Sequence, residues 1–201
     1  GIADLDLHRL MVRASAGVLA ADSPRAFCEL LDGVRALGLD HMIADYFGER
    51  PALSVKKCTL RRLQLRDWRI YWRLYFSNWH QDGAFLGRGI RSVNAWFALS
   101  RCGRDAPGME LVPMRLERLL ATGEAGASFD WTISRRTITR ALPDVAIWEP
   151  EFQAGDVLFF DHWFLHRTAP RVGQWRKRYA IETWFFAPSV YADEPETALL
   201  V

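Results

Sequence analysis

Two short stretches of this chain carry side chains that could hold a metal ion. His80-Gln81-Asp82 pairs an imidazole with a carboxylate two residues on. A distant histidine, His166, lies in Gly155-Asp156-Val157-Leu158-Phe159-Phe160-Asp161-His162-Trp163-Phe164-Leu165-His166-Arg167-Thr168. Two imidazoles and one carboxylate on one face of an ion leave three positions open for other ligands, which suits non-haem Fe(II). The set has no thiolate to draw it toward structural zinc. On a strand, residues i and i+2 point to the same side, so a strand through 80–82 would turn His80 and Asp82 inward together. A three-residue motif is weak by itself, and a lone histidine on an apolar strand is ordinarily a hydrogen-bonded core residue. The second stretch is what gives the pair weight.

Four segments follow one another: Trp79-His80-Gln81-Asp82-Gly83, Ala95-Trp96-Phe97-Ala98-Leu99-Ser100, the Gly155-Asp156 run ending in His166-Arg167-Thr168, and Arg178-Tyr179-Ala180-Ile181. In this order and spacing they resemble the phytanoyl-CoA dioxygenase family of Fe(II)- and 2-oxoglutarate-dependent oxygenases, over about residues 79–185. The resemblance implies a mainly β fold with flanking helices, a double-stranded β-helix (jelly-roll, cupin-like) with the metal in one mouth. It implies Fe(II) held by His80, Asp82 and His166, with 2-oxoglutarate as cosubstrate and O2 as oxidant. The implied reaction oxidises, most simply hydroxylates, a C–H bond of a small organic substrate while 2-oxoglutarate becomes succinate. Asp82 stands where related halogenases carry a small residue, so hydroxylation or another oxidation such as desaturation is expected over halogenation.

The family pattern also sorts the remaining candidates. His162 competes with His166, but the family's ligand lies ten residues after the Asp of Gly-Asp, which is His166. His162 is left to the pocket rim or the surface. Arg178 is implied to grip the far carboxylate of 2-oxoglutarate through two parallel hydrogen bonds. The usual spacing falls one residue earlier, on Lys177, but the Arg-x-Ala-hydrophobic signature favours Arg178, with Arg176 as the reserve. Thr168 matches a hydroxyl that assists the same carboxylate. Asn94 matches a residue that can touch the cosubstrate, and Thr59 or Lys57 is a further contact if its strand face points inward. Trp79, Phe85, Trp96 and Trp163 are aromatic enough to line the pocket or to be plain core. The chain departs from the family at Pro113-Met114-Arg115, where Pro-Gly-Ser-His often stands.

The elements that must position these residues follow from patterning. Ser23-Pro24 reads as a helix start, Phe27, Leu30, Leu31, Val34 and Leu37 recur at helical spacing, and Gly38 is a stop. A helix is expected over 5–20 and an extension of the second over 40–48. These helices would make 1–50 a buttress outside a β core at 52–190, within one domain spanning 1–201. Strands are expected over 52–60, 91–101, 109–113, 129–133 and 145–148, and a helical turn over 115–121, while 157–160 leads to the second ligand. Asn94 and Trp96 should share a face. Residues 61–76 read either as a basic amphipathic helix, with Arg62, Arg66, Arg69 and Arg73 on one side, or as a strand. As function, that stretch is a packed element with solvated arginines, a lid that captures an anionic substrate, or a surface-binding segment.

Composition narrows the class. The chain has 201 residues, enough for one substantial core. Half are hydrophobic, so the composition is globular. The net charge of +2 gives no reason to expect nucleic acid as a partner. Three widely spaced cysteines do not form a disulfide framework. The apolar run at 10–21 fits neither a signal peptide nor a membrane span, so no stable membrane insertion is expected and cytoplasm is the default. The expected partner is a small-molecule substrate; oligomeric state is not readable. Two other classes stay open: a metal-binding, cupin-like isomerase, and a non-catalytic binding protein on the same fold.

Overall fold

The computed structural model describes residues 17–63, 78–87, 89–171, 173–191 and 198–201. Three helices come first: α1 (Leu19–Asp22), α2 (Pro24–Ala36) and α3 (Leu39–Phe47). Proline at the first position of α2 meets no backbone partner it could break. Gly38 takes a left-handed conformation (φ 67°), so 39–47 is a separate helix rather than the expected extension of α2. Most of the helix expected over 5–20 lies outside the described residues.

The strands are β1 (Ala52–Ser54), β2 (Thr59–Leu63), β3 (Ser92–Ala98), β4 (Gly108–Leu111), β5 (Val157–Asp161), β6 (His166–Ala169), β7 (Arg178–Phe186) and β8 (Ala198–Leu200). Five form an antiparallel sheet in the order β5-β3-β7-β1-β8, and β2 also pairs with β7. The single strand expected over 52–60 is therefore two. The chain leaves the ladder at a turn, with Lys57 N donating to Ser54 O, and rejoins β7 further along. Residues 61–63 of the stretch expected as an insertion belong to β2; 64–76 lie outside the described residues.

A second, smaller sheet pairs β4 with β6. Single bridges widen it: His80 with His166, Trp79 with Ile133 and Leu111 with Trp148. The two facing sheets make a double-stranded β-helix, mainly β with helices on its flank. The strands expected at 129–133 and 145–148 shrink to the bridges at Ile133 and Trp148. Thr132 turns its hydroxyl back onto Phe129, closing a turn in place of a ladder. The helical turn expected over 115–121 is irregular, because Leu120 N–H donates to the side chain of Gln81 rather than to its own backbone. Two helices were not expected, and the longer is α5 (Arg135–Ala141), whose start is capped by Ser134 Oγ accepting from Thr137 N at 3.0 Å. A single helical turn, α4 (Gly83–Leu86), follows Asp82.

Alternation along the strands divides the interior. Val93, Ala95, Ile181 and Phe185 face outward, where Phe27, Leu31, Val34, Ile43 and Phe47 cover them. Asn94, Trp96, Arg178, Glu182 and Trp184 face the opposite way, into the space between the sheets. The helices thus bury one side of the large sheet and leave the other free to carry polar side chains.

Candidate metal centre and its cavity

His80 and His166 sit opposite each other on neighbouring segments. His80 N donates to His166 O at 3.0 Å, and His166 N to His80 O at 3.1 Å. This reciprocal pair brings the two imidazoles side by side, with ring centroids 4.3 Å apart. After His80 the chain does not continue as a strand. Asp82 has helical dihedrals and starts α4, so the expected i, i+2 strand geometry is replaced by a strand-to-helix turn that still aims both side chains at one point. Asp82 Oδ1 lies 3.8 Å from His80 Nε2 and 3.6 Å from His166 Nε2. All three candidate ligand atoms fall within 4.8 Å of one another, close enough to hold one ion.

Local bonds fix this turn. Gln81 is fully buried; its amide donates to Arg118 O at 2.9 Å and Trp163 O at 2.6 Å, and its carbonyl accepts from Leu120 N at 2.7 Å. Gly83 N–H donates to His162 O at 2.9 Å, and a Cβ on Gly83 would come within 3.1 Å of that same oxygen. A side chain after Asp82 would therefore crowd the backbone that Gly83 is bonded to.

The imidazoles are oriented for coordination. His80 Nδ1 is 2.9 Å from Asn78 O, and His166 Nδ1 is 3.0 Å from Phe164 O. A carbonyl can only accept, so each Nδ1 carries the proton and each Nε2 offers a lone pair. Burial holds both imidazoles down to about 4, with His166 adding to the effect on His80, so both are neutral near pH 7. Burial also pushes the Asp82 carboxyl up to about 7, against the pull of His80 and a hydrogen bond from Asn94. A buried carboxylate between two neutral imidazoles lacks the positive charge that a divalent cation would supply.

The three residues open on a cavity of about 310 Å³. Arg178 lines it, buried, with Nη1 donating to Gly108 O at 3.3 Å and its plane 5.6 Å from the Trp96 ring. Burial lowers its pKa, and among the described residues it forms no salt bridge. Nε of Arg178, Oδ1 of Asn94 and Nε1 of Trp184 are all buried without a partner among the described residues, and all three belong to lining residues. Unsatisfied buried polar atoms are rare; their gathering around one cavity marks a ligand site.

The cavity brings together His80, Asp82, His166, Asn94, Thr168 and Arg178. Arg176 is exposed and lies over Trp175, so Arg178 is the arginine that faces inward. Thr59 is not on the wall; Arg61, two residues along the same face of β2, is. Lys57 is not there either, and its Nζ lies 5.9 Å from the Trp184 ring. Of the four expected aromatics, Phe85 and Trp96 line the cavity. Trp79 is core, and Trp163 lines a separate cavity with His162 and Arg115. Sequence reasoning missed Arg61, Trp131, Glu182 and Trp184 on the wall. For two of these a signal existed, since Glu182 and Trp184 fall on the face of β7 that Arg178 defines.

The cysteines take no part. All three are free, and burial raises Cys58 to about 12 and Cys102 to about 11. No described helix is long and apolar enough to cross a membrane.

No protein-family model matches this chain, and no curated protein sequence does. Solved structures do resemble its fold. One is AviO1 from Streptomyces viridochromogenes Tue57, at 16% identity and TM-score 0.50, covering 76% of this chain and 58% of that one. Another is the epimerase SnoN in complex with Fe3+, alpha ketoglutarate and nogalamycin RO, at 15% identity and TM-score 0.52, covering 77% and 59%. A third is EvdO2 from Micromonospora carbonacea var. aurantiaca, at 13% identity and TM-score 0.55, covering 93% and 68%. At these identities the likeness establishes the fold. The chain spans under three fifths of the length of the first two.

Proposed function

We propose that this chain is an Fe(II)- and 2-oxoglutarate-dependent oxygenase that hydroxylates a C–H bond of a small organic substrate. The observation that carries the reading is His80, Asp82 and His166 gathered around one point, their imidazole tautomers fixed by backbone carbonyls, in the same cavity as an unpaired buried Arg178. Solved proteins of this fold support it: SnoN is described with Fe3+ and alpha ketoglutarate, and EvdO2 complexed with 2-oxoglutarate. The residues fit the group. Two neutral imidazoles and a carboxylate would hold iron and leave positions for cosubstrate and oxygen.

Iron bound there, with 2-oxoglutarate and O2, supplies the oxidation: one oxygen atom enters the substrate, the other enters succinate, and CO2 leaves. The protein's own groups place the reactants. Arg178 supplies a guanidinium for the far carboxylate of the cosubstrate, with the Thr168 hydroxyl beside it. Asn94 orients Asp82 by its hydrogen bond. Phe160, packed 4.4 Å from the His166 ring, and Trp96 keep that end dry. Asp82 fills the third protein position, which favours hydroxylation over halogenation.

Hydroxylation is the outcome to test, because the same fold serves an epimerase and a carbocyclase among its structural relatives. Anaerobic titration with Fe(II) and then 2-oxoglutarate should produce a weak visible charge-transfer band, and a substrate screen should release succinate under air. Metal binding without the band would point instead to a cupin-like isomerase or a binding protein.

A further inference from the structure

We propose that the end of the cavity remote from Arg178 receives a neutral, ring-bearing molecule with a hydroxyl on or close to its ring. This deepens the oxygenase reading and rests on it for the contents of the other end. Glu182 and Trp184 lie four and six residues along β7 from Arg178, a backbone separation of about 13 to 20 Å at the usual strand rise, although the charges of Arg61 and Glu182 still reach Arg178.

The apolar part of the claim comes from three rings on separate segments. Phe85 lies edge-on to Trp131 at 5.9 Å and tilted against Trp184 at 5.4 Å, while Trp131 lies 5.4 Å from His80. They form a wall of aromatic surface beside the candidate metal ligands. Phe85 is 45% exposed, a large apolar side chain that a ligand ring would cover.

The neutrality comes from charge. Arg61 places both Nε and Nη2 at 2.8 Å from the same oxygen of Glu182, Oε2. The pair cancels itself, as Asp82, Arg178, a ferrous ion and the dianion of 2-oxoglutarate would cancel among themselves. A ligand charged in either sense would leave water for a wall whose charges are already paired and would find no free counter-charge there, whereas a neutral one pays no such penalty.

The hydroxyl follows from what the pair leaves open. Glu182 Oε1 has no partner among the described residues and can accept, while Trp184 Nε1 is a buried donor without one. A hydroxyl both donates and accepts at a single atom, so one hydroxyl answers both.

The test uses the anaerobic protein loaded with Fe(II) and 2-oxoglutarate and three matched probes: 2-phenylethanol, phenethylammonium and phenylacetate. Calorimetry should show the alcohol binding at least tenfold more tightly than either ion. Arg61→Met, which uncovers Glu182, should improve phenethylammonium binding about tenfold; Glu182→Gln, which uncovers Arg61, should do the same for phenylacetate. Circular dichroism identifies a variant that has not folded, and the other then carries the test. Equal or tighter binding of an ion to the unmodified protein, an unchanged order in the folded variants, or no binding by any probe would each overturn the proposal. The same calorimetry reads Fe(II) and 2-oxoglutarate binding first. Failure there sinks the oxygenase reading, whereas failure of the probes alone sinks only the substrate inference.

Discussion

Arg178 is a buried cation with a single backbone acceptor and, among the described residues, no salt-bridge partner. A guanidinium in that state is costly, and replacing a buried charge with an apolar side chain of similar volume is often neutral or stabilising. The proposed role explains why it stays: the missing partner is a dicarboxylate. Arg178→Met should therefore separate stability from binding. The melting temperature of ligand-free protein should hold or rise, Fe(II) affinity should stay within a few fold, and 2-oxoglutarate affinity should fall about 10- to 100-fold, the range for lost hydrogen bonds to a charged group. A fall in melting temperature with unchanged 2-oxoglutarate affinity would make Arg178 a structural residue and remove the clamp.

Among elements, the decisive contact is the reciprocal bridge between His80 and His166, and Gln81 ties the turn that follows it to the segment leading to His166. Gln81→Leu would leave two carbonyls and one N–H unsatisfied in the interior. We expect a loss of about 2–4 kcal/mol by thermal or denaturant unfolding, and Fe(II) affinity reduced about 10- to 100-fold, as for other groups that orient metal ligands. Wild-type Fe(II) affinity in a destabilised Gln81→Leu protein would show that the bridge alone holds the geometry. The same elements explain what could be read in advance. β3 was legible because alternation of buried and polar residues is a property of the strand itself, and it placed Asn94 with Trp96 correctly, whereas β7 alternates in the same way but Arg178-Tyr179-Ala180-Ile181 carries an expectation only for its arginine. The shrinkage of the strand expected at 129–133 and the irregular course of 115–121 were not legible, because the side chains of Thr132 and Gln81 divert backbone groups that a strand or helix would need. Arg61 escaped notice for a different reason. Its face is that of Thr59, but the strand expected over 52–60 stops one residue short of it and gives Arg61 to the stretch at 61–76. The start of α5 was legible in principle, since Ser134 stands at its cap, but Arg135-Arg136-Thr137-Ile138 carries too little apolar periodicity to announce a helix.

At the scale of the molecule, stability and chemistry occupy opposite faces of the large sheet. Ile43→Ala, in the helical layer, should cost about 2–5 kcal/mol on unfolding and leave Fe(II) affinity within about twofold; a parallel loss of affinity would mean the layers are coupled. The site in turn imposes a pH dependence on the whole fold. In metal-free protein His80 and His166 are held down to about 4 from 6.5, so their contribution is present above 6.5 and is lost as pH falls through 4. Asp82 is raised to about 7 from 3.8, so its contribution is present below 3.8 and is lost as pH rises through 7. Between 4 and 6.5 two imidazoles outweigh one carboxyl and stability increases with pH; from 6.5 to 7 only Asp82 titrates and stability declines. The metal-free protein should thus be most stable near pH 6.5. A divalent cation needs Asp82 ionised, so it must displace a proton below pH 7 and none above it. The gain in melting temperature on adding a fixed excess of metal should accordingly grow from pH 5 to 7 and level off beyond. Melting curves with and without Zn(II) or anaerobic Fe(II) across that range measure it, and a gain that is flat with pH, or that shrinks as pH rises, would show that Asp82 is not among the ligands.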